Sequence, residues 1–152
     1  METLERIIAE HPFFEGLESQ YSGLLTGCAS NVRFSAATYI FKEGEEANVF
    51  YLIRAGKVAL EILPSRGRPI TVETLTEGEL LGWSWLLPPY VWSFHAHALQ
   101  DTRAIAIEGK CLRNKCEQNH DLGYEVLKRL SQIMARRLQA TRFQLLDVYA
   151  AK

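Results

Sequence analysis

Apolar residues divide the chain into a helical beginning, a β-rich middle and a helical end. Residues 3–10 and 18–28 carry apolar side chains three and four positions apart, which is the spacing of one helix face. The helical spacing returns after Ile107, where it predicts a helix over 108–119 and a longer one from Asp121, as the N-cap, to about residue 149. The pattern therefore predicts two short helices before the β-rich region and two helices after it.

The middle of the chain, from Val32 to Ile107, consists of short β-type runs with a turn every 8 to 12 residues. Gly44, Gly56 and Gly78 stand at three of these turns, where a chain reversal needs a positive φ. The predicted strands are residues 38–41, 49–53, 58–63, 70–75, 94–99 and 103–107. Regular short strands of this kind indicate a sandwich or barrel, and with the flanking helices they predict an α+β fold that is mainly β.

A chain of 152 residues with 47% hydrophobic content is long enough to bury one full core. We therefore expect a single domain over residues 1–152, divided into a helical N-terminal part (1–30), a β region (31–107) and C-terminal helices (108–152). No apolar run reaches the ~18 residues that a membrane-spanning helix requires. We therefore expect no membrane partner.

Cys28, Cys111 and Cys116 are an odd number of cysteines outside any short, disulfide-rich framework. This usage predicts free thiols in a reducing cytosol, and hence a cytoplasmic protein. Cys111 and Cys116 lie five positions apart, which fits neither one helix face nor a Cys-x-x-Cys metal or redox motif. The three thiols are therefore expected to be structural or incidental.

Charge is distributed unevenly along the chain. Residues 123–152 carry six Lys or Arg against two acids, a net charge of +4, whereas the whole chain carries -1. A basic helix can contact nucleic acid, although it is more often a solvated face. The charge alone does not decide between these two roles.

The order of aromatic and glycine residues in the β region is distinctive. It runs Phe34-(x)6-Phe41-(x)2-Gly44-(x)6-Tyr51, followed by Leu-Ile-Arg-Ala-Gly-Lys-Val. Together with the loop at 11–17 and the run Met-Ala-Arg-Arg-Leu-Gln-Ala-Thr that ends the helix motif, this order resembles the cyclic-nucleotide-binding domain of Crp/Fnr regulators. The resemblance implies a double-stranded β-helix, also called a jelly roll or β-roll, with N-terminal helices and a long C-terminal dimerisation helix.

The resemblance also implies a phosphate-binding cassette, which falls at residues 78–96 and is called the cassette below. In the family, glycine amides and a Glu hold the ribose and phosphate, an Arg pairs with the phosphate, and ligand binding repositions the long helix. Here Gly82 keeps the glycine, whereas Trp83 stands at the Glu position and Trp92 at about the Arg position. The candidate ligand-binding residues carried over in this way are Leu81, Gly82, Trp83, Ser84, Trp92, Ser93, Thr141 and Arg142.

The cassette has thus lost both charged anchors of the family. Charge-assisted hydrogen bonds are about twice as strong as neutral ones, and removing one partner of a buried charged pair costs ~2–5 kcal/mol. Loss of the Arg alone should weaken cyclic nucleotide binding about a hundredfold or more. We therefore expect cyclic AMP and cyclic GMP to bind weakly or not at all.

Two features near the cassette each allow two interpretations. Trp83, Trp85 and Trp92 could line a pocket for an aromatic or apolar ligand, or they could fill the space that a nucleotide would occupy. Arg142, next to Thr141, could supply the missing cation or lie over Trp83 or Trp92, or it could be an ordinary surface arginine. The sequence leaves both alternatives open.

Metal and catalytic chemistry find little support in the sequence. His95 and His97 alternate with the apolar Phe94, Ala96 and Ala98, so both imidazoles are expected to point outward, without a metal site. The Ser, His and acidic residues form no spacing typical of nucleophilic or acid–base catalysis. We therefore predict neither a metal, nor a cofactor, nor an enzymatic activity, while a small-molecule ligand of unknown identity remains compatible with the pattern.

The last helix carries apolar residues at intervals of three and four, which is typical of the seam between paired helices. The predicted homodimer seam comprises Leu127, Leu130, Met134, Leu138, Thr141 and Leu145. The alternative is a helix that packs only on its own β-roll, but ~40 Å of helix is longer than one small roll can cover. Two-fold pairing is therefore the prediction.

Three functional hypotheses follow. The first is a regulatory or sensory module of the Crp/Fnr type whose degenerate cassette holds a different small molecule, or which binds a protein partner. The alternatives are a divergent cyclic nucleotide receptor, in which other cations replace the Arg, and a transcription regulator that acts through its basic helix or a DNA-binding partner. Because the sequence ends at Lys152, without a winged helix-turn-helix region, direct DNA binding through a recognition helix is not predicted.

Overall fold

The computed structural model describes residues 3–151; Lys152, counted in the basic segment above, lies outside them. The helices are α1 (Leu4–Glu10), α2 (Ser19–Thr26), α3 (Gly109–Gln118) and α4 (His120–Ala150), with a short 3-10 turn at Pro12–Phe14. Each lies within a few residues of the position that the apolar spacing predicts. No helix in this part of the chain is long and apolar enough to cross a membrane.

Side-chain caps fix where two of the helices begin. The Thr3 hydroxyl oxygen accepts a hydrogen bond from the Arg6 amide at 3.2 Å and so caps α1. For α4 the cap is Asn119 rather than the predicted Asp121, because the Asn119 side-chain oxygen accepts from the Leu122 amide at 3.2 Å. Asp121 lies instead in the first turn, where its charge is favourable beside the helix N-terminus.

Antiparallel strands form two four-stranded sheets within residues 3–151. The strands are β1 (Ala29–Phe34), β2 (Tyr39–Phe41), β3 (Val49–Ala55), β4 (Val58–Ile62), β5 (Ile70–Leu75), β6 (Leu80–Leu81), β7 (His95–Ala98) and β8 (Thr102–Glu108). Their order is β1-β8-β3-β6 in one sheet and β2-β7-β4-β5 in the other. All six predicted strands and the α+β, mainly β class are confirmed.

Two strands escaped the sequence prediction. β1 pairs along its whole length with β8, from Ala29 opposite Ile107 to Phe34 opposite Thr102, although three of its six residues are polar. β6 consists of Leu80 and Leu81 alone, which pair with β3 and are too few to show any alternation. Both strands are therefore defined by their partners rather than by their own sequence.

The buried side chains form two clusters. One lies where the helices meet the first sheet and includes Phe14, Phe50, Trp85, Leu112 and Leu122, none of them more than 1% exposed. The other fills the inside of the roll and centres on Phe41, Leu60, Leu81, Trp92 and Ala96. The cassette contributes a tryptophan to each cluster, so it is part of the hydrophobic core on both sides.

The first half of α4 packs against its own chain. Leu122, Val126 and Leu130 are buried, and Met134 contacts the same cluster. Leu130 is fully buried and therefore belongs to the core rather than to the predicted seam, because the helix turns the 122–126–130 stripe towards the β-roll. The other predicted leucines of the seam, Leu127, Leu138 and Leu145, are each more than half exposed.

The prediction of three free thiols is wrong for two of them. Cys28 and Cys111 form a disulfide with Cα atoms 5.7 Å apart, although they are separated by 83 residues in the sequence. The pairing of β1 with β8 explains this proximity, since it brings the residue before Ala29 next to the beginning of α3. Cys116 remains a free thiol.

Candidate ligand site at the cassette

Trp92 fills the inside of the roll beneath the cassette. Its ring is 4% exposed and stacks on Phe41 with the ring centroids 3.8 Å apart and the planes 7° from parallel. Hydrogen bonds hold its backbone on both sides: its amide donates to the Glu45 carbonyl at 3.0 Å, and its carbonyl accepts from the Gly44 amide at 2.9 Å. Trp92 is therefore fixed as a core residue, not left free at the rim of a pocket.

Gly82 lies directly against that ring. Its φ is +98°, and a Cβ built on it would come within 2.5 Å of two carbon atoms of the Trp92 six-membered ring. Any residue other than glycine would therefore be strained in conformation and would collide with Trp92. The glycine that approaches the ligand in the resembled family here approaches an indole.

Trp85 packs in the other hydrophobic cluster, between the helices and the first sheet. Trp85 is fully buried and stacks on Phe50 with ring centroids 4.7 Å apart. Its carbonyl accepts a hydrogen bond from Arg113 of α3, and the Arg113 guanidinium also lies 4.2 Å from the Tyr90 ring centroid. Arg113 thus attaches the middle of the cassette to α3.

Trp83 meets a cation from the long helix. The guanidinium carbon of Arg137 lies 4.6 Å from the Trp83 ring centroid, within the range of a cation–π contact. Arg137 Nε is also 3.3 Å from Glu73 Oε2 of β5, and Nη2 donates to the Leu80 carbonyl of β6. One side chain therefore connects α4 to two strands and to the cassette.

The Arg137 guanidinium is nearly buried, with 12% of the side chain exposed. Burial lowers the Arg137 pKa, Glu73 and Glu79 act in the opposite direction, and Arg136 lowers the pKa further. Burial also raises the pKa of Glu73, although Arg137 partly offsets this effect. Arg137 Nη1 has no hydrogen-bond partner among residues 3–151, so the cation is held tightly without being fully satisfied.

The structure brings together only some of the predicted ligand-binding residues. Leu81, Gly82 and Trp92 meet inside the roll, and Trp83 lies beside them against Arg137. Ser84 is half-buried, whereas Ser93, Thr141 and Arg142 are exposed. The Thr141 hydroxyl donates to the Arg137 carbonyl at 2.9 Å, within its own helix, and so does not reach into the roll of this chain.

Of the two interpretations of Arg142, the structure matches the surface arginine, and the cation beside Trp83 is Arg137 instead. Arg142 lies five residues further along α4 and is exposed. A sequence signal for Arg137 existed: it follows Val126, Leu130 and Ile133 at intervals of three and four and so continues the stripe that faces the β-roll. Glu73 had no comparable signal, because its role depends on which helix crosses β5.

A cavity of about 430 Å³ opens beside the cassette, between the N-terminal loop, the turn before β6 and α4. Glu73, Glu79, Arg136 and Arg137 are among its lining residues, whereas Gly82 and Trp92 are not. The space next to the cassette is therefore polar and charged, while the inside of the roll beneath Gly82 is occupied by an aromatic ring.

His95 and His97 make structural contacts. Ala96 and Ala98 are fully buried while His95 and His97 are half-buried, as the alternation predicts. His97 Nδ1 lies 3.0 Å from Glu61 Oε2. Among residues 3–151, no three His, Cys, Asp or Glu side chains come close enough together to hold a metal ion.

The fold is a β-roll closed by a long C-terminal helix. The chain belongs to the cyclic nucleotide-binding domain family, whose model matches residues 31–119. It is homologous to Crp/Fnr regulators, and the implied β-roll with its long C-terminal helix is confirmed.

Three individual proteins show how far the similarity extends. The CRP-like cAMP-activated global transcriptional regulator of Mycobacterium tuberculosis is 24% identical over 95% of this chain, and the anaerobic regulatory protein of Bacillus subtilis is 28% identical over 76%. The chain spans 63% and 49% of these two proteins. A crystal structure from Geobacter metallireducens superposes with a TM-score of 0.79 at 28% identity, covering 91% of this chain and 99% of that one.

Proposed function

We propose that this chain is a non-enzymatic, cytoplasmic regulatory module whose nucleotide site is closed by its own Trp92, so that it does not bind cyclic AMP or cyclic GMP in the usual way. The observation that carries the proposal is the contact between the Trp92 ring and Gly82, where a single added carbon would come within 2.5 Å of the indole. A ligand that used Gly82 as the family does would have to displace that ring.

Displacement of Trp92 would be costly. A buried tryptophan removes roughly 150–250 Å² from water, and at about 25 cal/mol per Å² its exposure costs on the order of 4 kcal/mol or more. The nucleotide would then meet no arginine at position 92. The steric cost and the missing charge act in the same direction, and at ~1.4 kcal/mol per decade they remove several decades of affinity.

Arg137 favours a second candidate function. A divergent cyclic nucleotide receptor needs a cation near the cassette, and the Arg137 guanidinium lies beside Trp83 and lines the adjacent cavity. Its present partners, Glu73 and the Leu80 carbonyl, would have to be exchanged for the phosphate. We rank this function second, because a nucleotide would have to break that ion pair and also move Trp92.

The exposed half of α4 supports a role that depends on association. Leu138, Phe143, Leu145 and Tyr149 are each more than half exposed on α4. Pairing with a second copy of the chain would cover this surface, and a protein partner with a helix of its own is the alternative. A role in transcription, as in the Mycobacterium tuberculosis relative, would require DNA contacts from the basic helix or from a partner.

Isothermal titration calorimetry separates the two candidates. We expect no saturable heat when cyclic AMP or cyclic GMP is titrated into the chain up to millimolar concentration. A dissociation constant in the micromolar range or below for either nucleotide would contradict the proposal, and its loss in Arg137→Ala but not in Arg136→Ala would then establish the divergent receptor.

A further inference from the structure

We propose that Cys28 and Cys111 form a reversible thiol–disulfide site, and that α3 carries its redox state to the cassette. This inference is independent of the proposed function, since it uses neither Trp92 nor any cyclic nucleotide. It rests on the surroundings of the two sulfurs and on the contacts that the first turns of α3 make.

The two cysteines differ in exposure. Cys28 is 6% exposed and lies at the junction of α2 and β1 within the hydrophobic cluster. Cys111 is half-buried, in the first turn of α3. A small thiol from solution therefore reaches the Cys111 sulfur before that of Cys28.

The surroundings of Cys111 favour its reduced, anionic form. It is the third residue of α3, and Glu108, the N-cap residue, makes no side-chain hydrogen bond to the helix amides. Thiolates at helix N-termini are stabilised by those amides. Glu108, three residues before Cys111, is an acidic group that opposes this effect, and its side chain is exposed.

A lysine lies close to the residue before Cys28. Lys115 follows Cys111 by one helical turn, and its Nζ is 3.8 Å from the position that a Cβ on Gly27 would occupy. Gly27 immediately precedes Cys28 in the chain. The Lys115 cation beside Gly27 partly opposes the burial of Cys28 in the hydrophobic cluster, which disfavours a thiolate there.

Glutathione is the reductant that we consider, and the exchange takes two steps. Its thiolate attacks the Cys111 sulfur, the Cys28–Cys111 bond breaks, and Cys28 leaves as a thiolate. A second glutathione thiolate attacks the glutathione sulfur of the mixed disulfide and expels the Cys111 thiolate. Two glutathiones are oxidised to glutathione disulfide, and the protein disulfide is reduced to two thiols.

The beginning of α3 has other attachments that persist after reduction. The Glu108 amide donates to the Cys28 carbonyl at 2.9 Å, and the Gly109 amide donates to the Asn48 carbonyl at 2.7 Å. Leu112 is fully buried in the helical cluster. Reduction should therefore loosen α3 without detaching it, and the fold should survive in both states.

The same turns of α3 touch the cassette. Gly109, two residues before Cys111, is so close to Trp85 that an added Cβ would come within 2.6 Å of the tryptophan Cβ. Arg113, two residues after Cys111, donates to the Trp85 carbonyl and lies over the Tyr90 ring. A change in how α3 is held therefore acts directly on Trp85.

Cys116 provides the internal control. Burial raises its pKa to about 11, and its Cβ would lie 3.3 Å from a Cβ added to Gly123 of α4. It therefore faces α4 as a protonated thiol and is a poor partner for exchange.

The test is an equilibrium titration of the full chain in glutathione buffers of increasing reducing power. Free thiols are trapped by alkylation and counted by mass spectrometry, and tryptophan emission is recorded in parallel. All three tryptophans of the chain, at 83, 85 and 92, lie in the cassette, so the emission reports on it alone.

We expect the thiol count to rise from one to three in a single two-electron transition, with the emission changing at the same midpoint and both signals reversing on reoxidation. Cys116→Ser should keep the transition, and Cys28→Ser and Cys111→Ser should each abolish it with the emission constant. A pair that stays oxidised, or stays reduced, over the whole range overturns the redox site. A thiol transition without a change in emission overturns the route through α3.

Discussion

At the residue scale, Trp92 fills the inside of the roll between Phe41 and Gly82. It stacks on Phe41 and leaves no room for a side chain at Gly82. Removal of the indole should leave a cavity that the stacked ring cannot fill, and we expect Trp92→Ala to lower the free energy of unfolding by about 3–5 kcal/mol. Urea denaturation measures this loss.

The matched control for that variant lies in the same cassette. Leu87 is 53% exposed, so Leu87→Ala should change stability by no more than about 0.5 kcal/mol. Equal unfolding midpoints for the two variants would show that Trp92 does not fill the roll.

Arg137 is the second residue with a specific expected effect. Arg137→Ala removes the cation–π contact with Trp83 and leaves Glu73 without its cation, whereas Arg136, its neighbour, is exposed. We expect a loss of about 1.5–3 kcal/mol and a shift in tryptophan emission for Arg137→Ala, and neither for Arg136→Ala. Similar responses from the two variants would contradict the assignment.

The Arg137 variant should also respond to pH. Burial already raises the Glu73 pKa, and loss of Arg137 raises it further. When the folded state raises the pKa of a carboxyl, the protein loses stability as the pH rises through that pKa. The free energy of unfolding that Arg137→Ala loses is therefore largest at neutral pH. The difference in stability between Arg137→Ala and the wild type should become smaller as the pH falls towards the ordinary glutamate pKa of 4.5, where Glu73 becomes protonated.

The burial of His11 should make the stability of the protein depend on pH in a second way. His11 is buried, its Nδ1 accepts from the Phe13 amide at 3.2 Å, and its Nε2 donates to the Ile53 carbonyl at 3.2 Å, so it is neutral in the fold. Burial lowers its pKa below 6.5. A base with a lowered pKa contributes stability above 6.5 that is lost as pH falls through the folded pKa.

The corresponding variant is His11→Asn, whose amide oxygen can accept from Phe13 without titrating. Urea midpoints measured between pH 7.5 and about 5 should fall less steeply for the variant than for the wild type. Parallel curves would show that His11 does not titrate differently in the folded and unfolded chains.

How far the sequence predicts the site depends on the residue. Gly82, Trp83 and Trp92 could be placed from the order of the cassette, and Ala96 and Ala98 from simple alternation. From the sequence, a cation from α4 was considered only at Arg142, because the arginine that faces the roll depends on the rotation of α4 against it. The local spacing after Ile133 determines that rotation only once the buried face is known.

At the element scale, α4 changes its role along its length. Its first half packs into the helical cluster through Leu122, Val126 and Leu130, and its second half carries exposed apolar side chains. A regular spacing of three and four describes both halves equally well. The sequence therefore predicted one continuous seam where the structure has a core stripe followed by an exposed one.

The two halves predict different outcomes for the same substitution. Leu138→Glu with Leu145→Glu places charge on exposed positions, so we expect a folded chain with a lower mass in solution than the wild type. Leu130→Glu buries an unpaired charge and should unfold the chain. Sedimentation velocity and circular dichroism measure both. Unchanged mass for the double variant, or a wild type that is monomeric at high concentration, would contradict pairing through this surface.

Six strand positions were easier to predict than the α4 cap and the two strands β1 and β6. The β-type runs and their glycine turns place six strands, because each alternation is local. β1 and β6 depend on pairing with β8 and β3, and the cap at Asn119 depends on where α3 ends. These are consequences of tertiary contacts, which propensity alone does not contain.

At the scale of the whole molecule, the order of motifs was sufficient to predict the family and the fold. It did not predict the contacts between residues that are far apart in the sequence. Cys28 and Cys111 are 83 residues apart, and only the β1–β8 pairing makes them neighbours. Contacts between residues far apart in the sequence also set Trp92 against Phe41 and Arg137 against Glu73. Both the disulfide and the closed site are therefore properties of the assembled roll.

The most direct test of the closed site is a crystal structure of the chain grown in millimolar cyclic AMP. The account predicts that the Trp92 ring stays stacked on Phe41 and against Gly82, with no nucleotide density inside the roll. A cyclic AMP molecule bound at Gly82, with the Trp92 ring displaced from Phe41, would contradict it.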